Sequence, residues 1–253
     1  MEWFDRRYEG IDFDRPEWAW GLEGCCGVEE KLFLTLYVVY AVVFFLLHQL
    51  YFFKPVRLLT VFLHEFGHAS ACWISGGSVR KIEVYENEGG VTGYTGGCRI
   101  LVIPAGYVGA AFWGGTIVFL SGGARLGSTI CAGMLMCFLL VSLCINPNKL
   151  VVYISIFFTI VFGVAIYIEW YVYDPMLGFF TLFFGVFIGF YSVKDIYDDT
   201  IRRTAEGSDA VACYRLLPLC HPRCVGVQFW IVAFGFQVLG LYLALVWMSS
   251  SDD

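Results

Sequence analysis

The sequence predicts an all-α polytopic membrane protein with about seven transmembrane helices and a small membrane-associated β segment near residues 79–97. Hydrophobic residues make up 58% of the 253 residues and charged residues only 15%. Soluble domains contain about 25% charged residues. The apolar residues occur in blocks of about 20, the length of a helix that crosses a bilayer. One stretch between these blocks alternates apolar and polar residues instead, as strands do.

The apolar blocks are the candidate transmembrane helices. They cover residues 32–53, 56–75, 100–121, 126–145, 150–168, 176–193 and 229–248. We predict an N-terminal tail at residues 1–31, a single transmembrane domain at residues 32–248 and a short C-terminal tail at residues 249–253. The first 31 residues lack a short apolar core before a cleavage site, so the first span is expected to act as the insertion signal and to remain.

The β segment falls between the second and third blocks. Residues 79–85 alternate apolar and polar side chains, and residues 89–97 are rich in glycine and β-forming residues. Strand edges cannot face lipid, so we expect this hairpin or small sheet to pack against protein or to face water. An extended peptide could add to it as a further strand, and Val91 and Thr92 are the candidate binding residues.

The distribution of Lys and Arg predicts the orientation. Seven spans would place the two chain ends on opposite sides of the bilayer. Most Lys and Arg outside the spans then fall on the side of the N-terminus, and cytosolic loops are enriched in these residues. We therefore predict an integral multi-pass membrane protein with a cytosolic N-terminus, and with the β segment on the cytosolic side. The sequence has no basic surface for nucleic acid.

The second block carries an H-E-x-x-H motif formed by His64, Glu65 and His68. Histidines at positions i and i+4 lie on one face of a helix and can bind one zinc ion, while the glutamate can activate a water molecule. Ionisable residues in an apolar membrane helix are costly, which favours a functional role. His48, in the first block, is more typical of a packed histidine than of a metal ligand.

A catalytic zinc ion usually has a third protein ligand. The H-E-x-x-H motif is not followed by a third histidine, so a distant carboxylate is expected. Acidic residues on the same predicted side as the motif are the candidates. They are Asp195, Asp198, Asp199, Glu206 and Asp209. Those that are not ligands could hydrogen-bond the imidazoles or pair with Arg202 and Arg203.

The ten cysteines do not form the pattern of a disulfide framework. Those inside the spans are expected to be free thiols that behave as small apolar residues. Cys25 and Cys26 precede the first span, where cysteine pairs can be palmitoylated, although two free thiols are the plainer interpretation. His221 with nearby cysteines could form a second zinc site. The cysteines concerned are Cys213, Cys220 and Cys224.

These motifs resemble the site-2-protease-like intramembrane zinc metallopeptidases, specifically their small single-domain branch. The resemblance covers most of residues 55–235 and rests on five segments. They are His64-Glu65-Phe66-Gly67-His68, Gly89-Gly90-Val91-Thr92, Pro104-Ala105-Gly106-Tyr107-Val108-Gly109, Asp195-Ile196-Tyr197-Asp198-Asp199 and Ser208-Asp209-Ala210. The chain lacks the Leu-Asp-Gly or Asn-Pro-Asp-Gly setting in which the larger family holds its third ligand.

The resemblance implies zinc-dependent cleavage of transmembrane protein substrates, with Glu65 as the catalytic base. It implies His64, His68 and Asp209 as the zinc ligands, because Ser208-Asp209-Ala210 resembles the third-ligand segment of the small branch; Asp195 is the second candidate. Two other functions remain open. A non-proteolytic scaffold or chaperone could retain the zinc site, although it would not need Glu65. A transporter is disfavoured because the sequence has no internal repeat.

Overall fold

The computed structural model describes residues 27–203, 205–216 and 221–250, and this part of the chain is mostly helical. The helices are α1 (Val28–Leu47), α2 (Lys54–Ile74), α3 (Arg99–Val102), α4 (Ala105–Ser121), α5 (Ala124–Ser142), α6 (Lys149–Tyr171), α7 (Met176–Ile196), α8 (Asp209–Leu216) and α9 (Pro222–Ser250). The strands are β1 (Ser78–Val84) and β2 (Gly90–Thr95). A π-helical turn at Tyr197–Arg202 continues α7. Cys25 and Cys26 lie outside the described residues.

Five of the described helices are long and apolar enough to cross a membrane. They are Val28–Leu47, Ala124–Ser142, Lys149–Tyr171, Met176–Arg202 and Pro222–Ser249. Helix α4 is apolar but has only 17 residues, and α2 carries the ionisable residues of the motif. The multi-pass membrane architecture is therefore confirmed, whereas the predicted count of seven spans is not.

The predicted third span is divided into two helices. The short α3 ends at Val102, and α4 begins at Ala105 after Pro104. Proline has no amide hydrogen and its ring clashes with the carbonyl of an earlier turn, so a continuous helix through this position is unfavourable. The break places α3 beside α2 as a separate element.

Helices α1 and α7 run side by side in the same direction. Tyr40 packs edge-to-face on Phe183 with ring centroids 5.5 Å apart, and one turn later Phe44 packs on Phe187 at 5.1 Å. Residue numbers therefore rise together along both helices. The beginning of α1 lies level with the beginning of α7.

Helix α9 runs antiparallel to α1. The Tyr37 hydroxyl lies 3.4 Å from Gln237 Oε1, whereas Phe33, earlier in α1, belongs to an apolar cluster that includes Met248 near the end of α9. The start of α1 and the end of α9 thus lie on the same face. Seven spans would instead have placed these two helix ends on opposite faces.

The start of α1 and the end of α9 share a face because α2 does not run back along the full length of α1. Phe53, just before α2, stacks on Phe187 in the middle of α7 with centroids 5.5 Å apart. Arg57, in the first turn of α2, and Tyr191 of α7 both bond Glu88. Helix α2 therefore starts beside the second half of α7, and most of its residues are buried within the protein.

The predicted β segment is confirmed as an antiparallel hairpin with the register Ser78↔Thr95 to Val84↔Gly90. Ile82 and Val84 of β1 are fully buried. The outer edge of β1 is covered by the α5–α6 loop, where Asn146 and Asn148 donate side-chain hydrogen bonds to the carbonyls of Arg80 and Val84. Packing against protein satisfies the edge, as a membrane-associated strand requires.

Glycines let α4 approach α7 and α9 closely. A Cβ atom on Gly114 would lie 2.7 Å from the Cα atom of Gly189, and one on Gly115 would meet the main chain at Phe236. Small residues at helix contacts are typical of membrane helix packing. Helix α4 therefore forms the centre of the bundle, with the predicted metal site at its N-terminal end.

The cysteines predicted to be free inside spans are free. They are Cys72, Cys131, Cys137 and Cys144. Cys224 is disulfide-bonded. A disulfide sulfur is not a thiolate ligand, and Cys220 lies outside the described residues, so the second-zinc hypothesis receives no support.

His48 is packed as expected, stacked on Phe44 with centroids 4.8 Å apart.

Candidate active site

Three side chains from two distant helices converge at the N-terminal end of α4. His64 and His68 lie on one face of α2, with their Nε2 atoms 3.2 Å apart. Asp209, the first residue of α8, places Oδ2 3.3 Å from His64 Nε2 and Oδ1 3.4 Å from His68 Nε2. All three potential ligand atoms lie within 4.8 Å of one another. Within the described part of the chain, this is the only such group of three.

The surroundings fit a metal ion. Oδ2 of Asp209 is buried and has no hydrogen-bond partner, which is costly for a carboxylate oxygen unless a cation neutralises it. A Cβ atom on Gly106 would lie 2.5 Å from His68 Nε2 and 2.6 Å from Asp209 Oδ2, and closer still to His64 Nε2. The missing side chain of Gly106 therefore leaves an open space between the three ligand atoms. Two imidazoles and one carboxylate are a typical ligand set of catalytic zinc.

Each imidazole is held in place by α3 or α4. His68 Nδ1 donates to the main-chain oxygen of Val102 at 2.7 Å, which leaves Nε2 free to bind a metal. The His64 ring packs edge-to-face on Tyr107, with centroids 4.8 Å apart. The sequence did not reveal that Val102, Gly106 or Tyr107 supports the site. The only signal was the quoted Pro104–Gly109 segment, which identified the region without assigning these roles.

Asp209 reaches the histidines because the chain folds back after the π-helical turn. The Ser208 hydroxyl accepts a hydrogen bond from the Val211 amide at 3.4 Å, as expected of the residue before a helix. Ser208 and Ala210 are buried, so the segment around Asp209 is fixed on both sides. This packing directs the Asp209 carboxylate toward α2.

The other candidate acids are not part of the converging group. Asp195 lines the same cavity but is not part of the group of three. Asp198 pairs with Lys194 at 2.7 Å and with Arg202 at 3.4 Å. Asp199 pairs with Arg203 at 2.6 Å. Two acids of this loop therefore bind Lys and Arg side chains, as one of the sequence-based alternatives proposed.

Glu65 is buried between α2 and the hairpin. The Thr92 hydroxyl lies 2.6 Å from Glu65 Oε2 and 2.9 Å from the main-chain oxygen of Glu65. A Cβ atom on Gly90 would collide with the Glu65 carboxylate, so the hairpin approaches this closely only because residue 90 is glycine. Thr92, predicted to bind substrate, thus contacts the predicted catalytic base, while Val91 is 43% exposed and lines the cavity.

The three ligands and Glu65 face a cavity of about 710 Å³. β2 lines one wall with Gly90, Val91, Thr92 and Tyr94. β1 pairs with one edge of β2 and β2 residues line the cavity, so the site combines a potential metal centre with a strand. This arrangement is suited to a peptide held in an extended conformation beside a metal.

A multi-pass helical membrane protein with an H-E-x-x-H helix and a converging aspartate belongs to the class of membrane metallopeptidases. The comparison with protein families agrees: the chain belongs to the Peptidase M50B-like family, whose model matches residues 36–245. This is the site-2-protease family, so the resemblance inferred from the motifs is confirmed. Searches of curated proteins and of solved structures gave no match.

Proposed function

We propose that this protein is a zinc-dependent intramembrane endopeptidase. The observation that supports the proposal best is the convergence of His64, His68 and Asp209 beside Glu65 in a member of a metallopeptidase family. A histidine pair with a purely structural role would need neither an adjacent buried carboxylate nor the open space that Gly106 leaves. Both features are needed for hydrolysis at a metal.

His64, His68 and Asp209 would hold the ion. A bound zinc ion supplies a polarised carbonyl and a more acidic water molecule. Glu65 accepts the proton of the attacking water through its carboxylate and donates it to the leaving amine. Thr92 holds Oε2 of that carboxylate, and His68 is kept in the required tautomer by the Val102 carbonyl. Glu65 is buried and faces the cavity beside the three ligands.

The proposed substrates are transmembrane segments of other proteins. A helix must unwind locally before its peptide bonds become accessible, and the unwound backbone then needs hydrogen-bond partners within the membrane protein. The cavity-facing edge of β2 offers them, whereas the outer edge of β1 is covered by Asn146 and Asn148. Val91 would contact a substrate side chain, and Thr92 would serve mainly to orient Glu65.

We propose further that the face carrying the site is cytosolic. Most Lys and Arg residues in the described loops and helix ends lie on this face, which is the pattern of a cytosolic side. They are Arg80, Lys81, Arg99, Lys149, Lys194, Arg202, Arg203, Arg215 and Arg223. Because the start of α1 lies at the opposite face, the N-terminal tail would then be extracytosolic. This proposed orientation differs from the cytosolic N-terminus expected from seven spans.

The test is cleavage of a single-helix membrane substrate by the purified protein in proteoliposomes. Wild type should cleave the substrate, lose activity with a zinc chelator and regain it with added zinc. Glu65→Gln should bind zinc but lose cleavage by about 10²- to 10⁴-fold, the usual contribution of a general base. Full activity of Glu65→Gln would refute the mechanism. A wild type that binds zinc and the substrate without cleaving it would favour the scaffold or chaperone alternative.

A further inference from the structure

The tip of the hairpin is anchored by a polar network in which the partly exposed Glu88 bonds two buried side chains. Glu88, in the turn between β1 and β2, accepts a hydrogen bond from Arg57 Nε at 2.7 Å on Oε1 and one from the Tyr191 hydroxyl at 2.6 Å on Oε2. Both carboxylate oxygens are therefore used. We call Arg57, Glu88 and Tyr191 the tip latch. It joins the hairpin to α2 on one side and to α7 on the other.

Arg57 is well placed to act as the fixed part of the latch. It is only 8% exposed, and its guanidinium also donates to the main-chain oxygens of His48 and, at 3.0 Å, Leu50. These bonds fix Arg57 to the α1–α2 connection independently of the hairpin. The planar guanidinium binds several acceptors at once, which lysine cannot reproduce.

The turn itself has a backbone conformation that the latch must maintain. Glu88 has a φ of 65°, in the left-handed region that non-glycine residues rarely adopt. At the other end of the hairpin, Gly76, Gly96 and Gly97 also have positive φ values, between 71° and 80°. Glycine adopts this region at little cost. The base of the hairpin is therefore made of permissive residues, whereas the tip is held by side-chain bonds.

The latch is continuous with the contacts on the catalytic base. Gly90 follows Glu88 by two residues and touches the Glu65 carboxylate, and Thr92 follows two residues later and bonds it. Glu88 and Tyr191 also line a second cavity of about 200 Å³, together with His48, Gln49 and Lys194. This cavity gives the Glu88 side chain space to move away when its bonds are broken. A displaced tip would carry Gly90 and Thr92 away from Glu65.

We propose that Arg57, Glu88 and Tyr191 are positioning residues that hold the hairpin against Glu65 and thereby orient this carboxylate for proton transfer. The catalytic part of this proposal rests on the proposed peptidase function. The structural part, which states that the latch holds the hairpin, is independent of that function. The two parts therefore have separate measurements.

The structural part is tested by hydrogen–deuterium exchange of the amides in residues 78–95. Tyr191→Phe removes one bond and keeps the ring, and Glu88→Gln removes the charge and keeps the shape. The matched control is Glu86→Gln, in the same turn, because Glu86 is 83% exposed and contacts only Lys54, at 3.6 Å, among the ion pairs of the described residues. Exchange in this segment should become faster in both latch variants and stay unchanged in the control. Unchanged exchange in both latch variants would overturn the proposal.

The catalytic part is tested by kinetics with the same variants and with Thr92→Val. Each latch variant should lower kcat by roughly tenfold to a hundredfold, the effect of a small misplacement of a catalytic group, while zinc content stays at the wild-type level. If the latch acts through Thr92, adding Glu88→Gln to Thr92→Val should cause little further loss. Fully additive losses, or a change confined to KM, would overturn the positioning role. An inactive wild type whose hairpin exchange still responds would refute the peptidase function and leave the latch supported.

Discussion

The Thr92 hydroxyl donates a hydrogen bond to Glu65, with 2.6 Å between Oγ1 and Oε2. This contact connects the strand that faces the cavity to the predicted catalytic base. In the proposed mechanism β2 both offers backbone groups to an extended peptide and orients the carboxylate, so two functions depend on one element. The catalytic geometry therefore depends on the hairpin as well as on the motif helix.

The first prediction concerns Thr92. Thr92→Val keeps the side-chain shape and removes the hydroxyl, so Glu65 should lose its orientation. We expect kcat to fall by about tenfold to a hundredfold with unchanged zinc content. Thr92→Ser keeps the hydroxyl and should retain most of the activity. Measurement of kcat, KM and bound zinc separates this outcome from a loss of substrate binding, which would raise KM alone.

The third ligand can be assigned by metal analysis. Asp209→Ala removes a carboxylate whose oxygens lie 3.3 Å and 3.4 Å from the two Nε2 atoms, and the purified variant should lose most of its zinc. Asp195→Ala should keep zinc, because Asp195 lies outside the converging group. Zinc retained by Asp209→Ala and lost by Asp195→Ala would reverse the assignment.

Gly106 provides a test that leaves every ligand in place. In Gly106→Ala the new methyl group would enter the space between His64, His68 and Asp209, so we expect zinc binding and cleavage to be lost together. The control is Gly133→Ala on α5, where a Cβ atom meets nothing within 4 Å. The control should bind zinc normally. Normal zinc binding by Gly106→Ala would show that the ion binds elsewhere.

The orientation in the membrane can be tested in intact cells. Cys98 is an exposed free thiol on the face of the site, so a membrane-impermeant maleimide should label it only after the membrane is opened. An epitope added before residue 1 should be accessible from outside without opening the membrane. Protection of both positions would contradict the arrangement in which the N-terminal tail and the site lie on opposite faces.

The tip latch should weaken in acid. Burial alone would raise the pKa of Glu88, but the hydrogen bonds from Tyr191 and Arg57 outweigh it and hold the pKa below the ordinary value of 4.5. His48 and Lys194 face the same cavity. A carboxyl group whose pKa is lower in the folded than in the unfolded state stabilises the fold at pH values above its unfolded-state pKa. This contribution is lost as the pH falls through the folded-state pKa. The difference in Tm between wild type and Glu88→Gln should therefore be largest above pH 4.5 and shrink below it.

The sequence predicted the architecture best where a local pattern carries the information. The alternation in residues 79–85 predicted the hairpin, and the spacing of His64 and His68 placed both imidazoles on one helix face. Such periodicities depend only on backbone geometry. No local sequence pattern encodes the direction of α1 relative to α7. This direction depends on how far α2 returns along α1, which only the contacts of Phe53 and Arg57 with neighbouring elements reveal.

By itself the sequence determined the class of protein, the motif helix and a short list of acids for the third ligand position. The tertiary structure decided which acid lies there, since Asp209 is far from His64 along the chain and reaches it only through the fold of the segment after α7. It also placed Val102, Gly106 and Thr92 against the site. Val102 contributes the direction of its carbonyl group, Gly106 the absence of a side chain, and Thr92 a contact between segments that are distant along the chain. No residue pattern encodes these, because each exists only once the helices and the hairpin have packed together.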